Sequence, residues 1–152
     1  MFDSQLFIMS EIIDYAKKRY LEIREIQRKT NSHDVYFAVV KSDSGKFYDS
    51  VPLTGGVAPI CCERSAITQM ITHESETAKV IELALVGAVG DGGFLTPCGL
   101  CRQVIFDNFD KAKIIVLSGK FGKDDSCDFI FDNPIMYSIS DLLPFPWKPG
   151  TW

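Results

Sequence analysis

Residues 79–105, KVIELALVGAVGDGGFLTPCGLCRQVI, decide the fold. Their first half carries Val80, Ile81, Leu83, Leu85, Val86 and Val89, a run typical of a strand buried on both faces. A Gly-rich loop spans residues 87–97. Pro97 then suits the first turn of a helix, where its missing N–H costs nothing, and Leu100, Val104, Ile105 and Phe109 continue it at helical spacing. Lys113-Ile114-Ile115-Val116-Leu117 reads as a second buried strand.

Upstream, Leu6, Ile12, Ile13, Ala16, Tyr20, Ile23 and Ile26 recur at three- and four-residue steps, which predicts an amphipathic helix over residues 4–29. Thr30-Asn31-Ser32 reads as a turn, and Val35-Tyr36-Phe37-Ala38-Val39-Val40 is apolar and rich in β formers. Asp43-Ser44-Gly45-Lys46 reverses the chain into Phe47, Tyr48 and Val51, predicting a hairpin. Pro52, Gly55, Gly56 and Pro59 interrupt regular structure. A second helix then starts within one residue of Cys61, with Ala66, Ile67, Met70 and Ile71 on its apolar face. Downstream, residues 119–128 read as polar and turn-rich, Phe129-Ile130-Phe131 as a short strand, and residues 138–143 as a short helix stopped by Pro144. The order α-β-β-α-β-α-β-β-α predicts a mixed sheet covered on its faces by helices.

A chain of 152 residues, 46% of them hydrophobic, suits one substantial core, so residues 1–152 are expected to form a single domain. The net charge of -4 has the wrong sign for neutralising a polyanion, which disfavours nucleic acid as the main partner. No apolar run of about 18 residues predicts a membrane span, and Met1-Phe2-Asp3-Ser4 lacks the basic start of a secretory signal. A soluble cytoplasmic protein is expected. Five cysteines are too few, and odd in number, for a disulfide framework, which leaves the thiols free for metal or catalysis.

Cys98-Gly99-Leu100-Cys101 alone is compatible with a zinc half-site, a redox pair or two buried thiols. Cys61, two residues before Glu63 and again at a predicted helix start, changes the balance. Two helix N-termini separated by a buried strand can converge on one cation, and the positive end of each helix dipole favours thiolates. Three protein ligands leave the fourth tetrahedral position of Zn²⁺ open for water, the mark of a catalytic site. Glu63, just past a ligand, can reach that water without ligating, where a proton shuttle belongs. Three thiolates around Zn²⁺ give a site of net charge about -1, so Arg64 is the candidate to offset it by donating to the sulfurs.

Cys61-x-Glu63-Arg64 with Pro97-Cys98-x-x-Cys101-Arg102-Gln103 resembles the signature of the cytidine deaminase superfamily, a zinc site with a non-ligand Glu. The resemblance extends from the hairpin near Val35 to Asp141-Leu142-Leu143-Pro144. It implies a three-layer α/β/α sandwich with a mixed, about five-stranded sheet, and a homo-oligomer, a tetramer or alternatively a dimer. It also implies a zinc hydrolase of cyclic-amidine C–N bonds, active in pyrimidine salvage. In that chemistry metal-activated water attacks C4 of a cytosine ring, Glu63 carries its proton to the ring and then to the amino group, and ammonia leaves. Cys61, Cys98 and Cys101 would bind Zn²⁺, and the main-chain N–H near Cys62 would bind the base carbonyl of a small nucleoside-like substrate.

The Asn-x-Glu-Asn segment that grips ribose in cytidine deaminases is replaced here by Val51-Pro52-Leu53-Thr54. The spacing and the Thr54-Gly55-Gly56 element are similar to blasticidin-S deaminase, although Pro52 stands where that family keeps Asn. Unmodified cytidine is therefore expected to bind poorly. An antibiotic-nucleoside deaminase and a non-catalytic zinc-stabilised module, with Cys62 as a fourth ligand, are the alternatives. The Cys62 side chain is expected to pack, because adjacent helical positions point about 100° apart. Cys127 is expected to be a free thiol, His33 and His73 to lie outside the site, and Phe145, Trp147 and Trp152 to pack on the body or at a subunit contact.

Overall fold

The computed structural model describes residues 10–28, 36–55, 58–89, 95–121 and 129–148. Along the chain run α1 (Glu11–Arg28), β1 (Phe37–Ser42), β2 (Phe47–Ser50), α2 (Cys62–His73), β3 (Val80–Ala88), α3 (Gly99–Asn108), β4 (Lys113–Phe121), β5 (Phe129–Phe131), β6 (Ile135–Ser138) and α4 (Ile139–Leu142). No helix of the described residues is long and apolar enough to cross a membrane.

The sheet follows from the period-two placement of side chains along strands that are apolar on both sides. Ala38, Val40, Leu83, Leu85, Ile114 and Val116 face one way and pack with Ala66, Ile67 and Met70 of α2, Ile105 of α3 and Ile139 of α4. The intervening Phe37, Val39, Ala84, Val86, Ile115 and Leu117 face the other way, onto Ile12, Ile13, Ala16, Tyr20 and Ile23 of α1. Three layers result, helices on each side of a mixed sheet in the order β2-β1-β3-β4-β5, with β6 also on β4. β1 is antiparallel to both β2 and β3, while β3 and β4 are parallel, with Leu83 opposite Ile114 and Val86 opposite Leu117. Helix α3 is the crossover that a parallel pair requires.

The hairpin between β1 and β2 turns at Gly45, whose φ of 85° suits a residue without Cβ. Glu74, just past α2, anchors it: one carboxylate oxygen accepts from Ser42 Oγ (2.7 Å), Ser44 Oγ (2.8 Å) and the Tyr48 hydroxyl (2.9 Å). The bonds from Ser42 and then Ser44 hold this carboxyl below its ordinary range.

Several boundaries differ from the sequence reading. Strand β4 continues past Leu117 through the polar Ser118-Gly119-Lys120, because Gly119, Lys120 and Phe121 pair with β5. A side chain at Gly119 would collide with the Ile130 carbonyl and the Phe129 ring. Strand β6 gives the sheet six strands rather than about five. It lies at an edge with Ile135 and Met136 exposed, so no buried alternation announces it. Pro97 precedes the Cys98 N-cap of α3 and is not in its first turn. Ile26 lies beyond the last residue that α1 buries, at 61% exposure, and Ile71 also faces outward. The expected start of the first helix at residues 4–9 lies outside the described residues, as do Thr30-Asn31-Ser32, Val35 and Gly56.

Truncation of a core contact common to the central strand and its helices, Leu83→Ala, is expected to cost about 2–5 kcal/mol in urea unfolding, because Leu83 is wholly buried. Glu74 stabilises the fold above the ordinary glutamate pKa of about 4.3, and that contribution disappears as pH falls through its lower folded-state value. Urea midpoints of Glu74→Gln should therefore change less than those of the parent between neutral pH and the acid range.

Candidate functional site

Two helices begin at cysteines. Cys61 is the N-cap of α2 (φ -64°, ψ 147°) and Cys98 the N-cap of α3 (φ -66°, ψ 164°), and neither side chain caps its own helix. Ser, Thr, Asp or Asn at such a position would accept a helix N–H, worth about 1 kcal/mol. Cysteine forgoes that bond and leaves its sulfur free for another partner. Side chains at N-cap and at the third helical position meet at the same helix end. In α3 those positions are Cys98 and Cys101, which is the physical meaning of the Cys-x-x-Cys spacing. In α2 they are Cys61 and Arg64, with Glu63 between them in the first turn.

The loop before α2 is closed by an isolated antiparallel bridge, Leu53 N–H to Ile60 O (2.9 Å) and Ile60 N–H to Leu53 O (3.1 Å). Gly55 within it has a φ of 96°. The bridge fixes the chain one residue before Cys61.

The Sγ atoms of Cys61, Cys98 and Cys101 all lie within 4.8 Å of one another, and Cys61 and Cys98 are 3.8 Å apart. Tetrahedral zinc with Zn–S bonds of about 2.3 Å sets its sulfurs about 3.8 Å apart, so spacing and soft donor chemistry both fit this ion. Arg64 sits against the sulfurs of Cys61 and then Cys101, which hold its guanidinium more firmly in the charged form. Burial pushes the Cys101 thiol well up, reinforced by the charge of Glu63. At Cys98 burial opposes ionisation too, but hydrogen bonds from the Cys101 backbone and the neighbouring thiols outweigh it and hold the thiol below its ordinary range.

Glu63 is 4% exposed. Its Oε2 accepts from the Cys62 thiol at 3.3 Å, and burial, then the adjacent carboxylate, pushes that thiol far up. The Cys62 side chain is thus a buried donor to Glu63 and stands apart from the sulfur cluster, as packing predicts.

Cys61, Cys62, Glu63 and Cys98 form one wall of a cavity of about 250 Å³. Tyr36, Pro52, Leu85, Leu95 and Thr96 form the rest. Leu85 comes from β3 near its carboxyl end, the side where α/β sheets present ligand sites. Gly87 in the same strand gives Tyr36 its room, since a Cβ there would overlap the tyrosine ring. Apart from Pro52, which falls in the segment that replaces the ribose clamp, spacing along the chain gave no sign of these lining residues, because strand register and loop course bring them in.

Arg102, adjacent to Cys101, also has a role that the motif did not reveal. Its Nε donates to Pro97 O (2.7 Å), Nη2 to Thr96 Oγ1 (2.9 Å) and Nη1 to Leu142 O (3.0 Å). One guanidinium therefore locks the segment entering Cys98 to the end of α4. Gln103 binds the backbone of Trp147 in both directions, donating to its O and accepting from its N–H, each at 2.9 Å. His73 bonds Gln69 O through Nδ1 and stacks on Tyr48, away from the sulfurs. Phe145 is 92% exposed. His33, Cys127 and Trp152 lie outside the described residues.

Arg102→Ala should weaken zinc binding about 10–100-fold in chelator competition, because groups that orient ligands contribute on that scale. Circular dichroism of the variant should match the parent, and unchanged zinc affinity would refute this role for Arg102.

No protein-family profile matches the chain, and no curated protein matches it. Solved structures do. The cytidine deaminase of Burkholderia pseudomallei superposes with a TM-score of 0.61 at 20% identity, covering 84% of this chain and 95% of that one. Cytidine deaminase from Mycobacterium tuberculosis gives 0.53 at 21% identity, over 78% of this chain and 82% of that one. That from Mycobacterium leprae gives 0.53 at 19%, over 76% and 82%. The layers, the mixed sheet and these superpositions together show that the chain has the cytidine deaminase fold.

Proposed function

We propose that this protein belongs to the cytidine deaminase superfamily and is a zinc-dependent hydrolase. It would convert the cytosine ring of a nucleoside or nucleoside analogue to the uracil form with release of ammonia. The observation that carries this reading is the meeting of three thiols from two helix starts beside a buried carboxylate, at the wall of a cavity.

Cys61, Cys98 and Cys101 would hold the ion. Zinc bound by three protein ligands supplies a Lewis acid with an open position that lowers the pKa of water toward neutrality. Glu63, shielded from solvent and steadied by the Cys62 thiol, takes a proton from the attacking water and delivers it to the ring nitrogen. A second transfer gives the amino group the proton with which it leaves as ammonia. Water supplies the new carbonyl oxygen, and the exocyclic C–N bond to the amino group breaks while the ring stays intact. Arg64 offsets the excess negative charge of the sulfurs. The main-chain N–H near Cys62 binds the base carbonyl. A closed four-sulfur site gains no support, because Cys62 directs its thiol to Glu63.

The reading brings with it a reducing, cytoplasmic setting, since free thiols are what the site requires. It also brings a place in pyrimidine salvage, a small-molecule substrate without nucleic acid, and a homo-oligomer, a tetramer or alternatively a dimer. The exposed ring of Phe145 supports the last, because aromatic residues are enriched at subunit contacts.

Purified protein should contain one zinc ion per chain by elemental analysis. Glu63→Gln should keep that zinc while ammonia release falls at least about 100-fold, the scale of general acid–base catalysis. Screening cytidine, deoxycytidine, cytosine and blasticidin S provides the substrate for this assay. Full turnover by Glu63→Gln, or a protein that binds no zinc, would overturn the proposal.

A further inference from the structure

The cavity wall says what part of a substrate this protein can read. Cys61, Cys98 and Glu63 belong to the reacting side. Of the other lining residues, Pro52 has neither a polar side chain nor an N–H, and Leu85 and Leu95 are apolar and buried. Thr96 already accepts a bond from Arg102, which occupies one lone pair of its hydroxyl. Tyr36 adds an aromatic body at the rim, where it is 47% exposed. Among the described residues, the lining apart from Glu63 carries no carboxylate, amide or cationic side chain.

Size points the same way. At about 250 Å³ the cavity lies below the range of about 300–1,000 Å³ typical of drug-sized ligands. A single six-membered heterocycle fills such a space.

Resting on the deaminase reading above, we infer that the site recognises the aminated ring alone and forms no selective hydrogen bonds to a sugar. Its substrate class is aminated pyrimidines, free or substituted at the ring nitrogen, with the hydroxyl groups of the substituent left to water. A site built to bond a hydroxyl rejects an analogue lacking it by about 10⁴–10⁵-fold, because its own buried polar groups then go unpaired. Apart from the cysteines and Glu63, the described lining has no ionic or amide side chain to be orphaned in this way.

The test uses zinc-loaded full-length protein. Ammonia release is measured with cytosine, cytidine and 2′,3′-dideoxycytidine, and calorimetry measures binding of the non-reacting uracil, uridine and 2′,3′-dideoxyuridine. The expected result is kcat/KM for cytidine and its dideoxy analogue within about tenfold, and equally similar affinities for the two uracil nucleosides, against the far larger ratio of a hydroxyl-reading site. A loss of about 100-fold or more on removing the two hydroxyls, in either readout, overturns the inference. If no cytosine compound yields ammonia, the deaminase reading fails and the inference is decided by binding alone. Similar affinities then sustain it, and failure of all three uracil compounds to bind overturns it.

Discussion

Three sulfurs within 4.8 Å of one another are a constraint that the rest of the molecule must satisfy. As thiolates they repel, and as thiols they offer only weak hydrogen bonds. A soft cation would resolve both problems at once, and the protein offers suitable conditions for one. It places two of the sulfurs at helix N-caps, where the dipole favours negative charge, and sets Arg64 against them. The cost is two helices begun without the oxygen caps that ordinarily satisfy their first N–H groups. A metal held there would couple its affinity to helix stability at these two positions, as happens where ligands become organised only on folding.

The scaffold works because the helices carrying the three cysteines are held by apolar layers. Helix α2 lies over β1 and β3 through Ala66, Ile67 and Met70, and α3 crosses from β3 to β4 with Ile105 beneath it. Packing of this kind fixes helix axes but leaves the ends free to slide by small amounts. The Leu53–Ile60 bridge before α2 and the Arg102 clamp before α3 remove that freedom where it matters. The carboxylate of Glu74 does comparable work at the opposite end of α2.

What the sequence disclosed, and what it concealed, follows from the range of the interactions involved. The continuous apolar runs of β1, β3 and β4 were legible because each strand is buried on both faces, which leaves no ambiguity of face to resolve. The thiols were legible because N-cap and third-position side chains meet by local helix geometry, whatever the fold. Strand β6 was hidden because an exposed edge strand is stabilised by backbone pairing with β4, to which side-chain pattern is blind. The reach of Arg102 to Leu142, the walls at Tyr36 and Leu95, and the extension of β4 by β5 all depend on segments distant in sequence. Fold class and the grouping of the three thiols were therefore readable in advance, whereas the shape of the cavity was not.

The parallel pairing of β3 with β4 has a consequence for how the chain reaches its native state. Parallel neighbours cannot be joined by a tight turn, so the register of Leu83 against Ile114 is secured only after the intervening chain has been closed and α3 docked. Cys61 and Cys98, 37 positions apart, meet only when that closure is complete. Contacts so distant along the chain slow the search for the folded state relative to proteins built from local ones. The nascent polypeptide must accordingly keep its sulfurs unoxidised throughout the interval in which nothing yet holds them side by side.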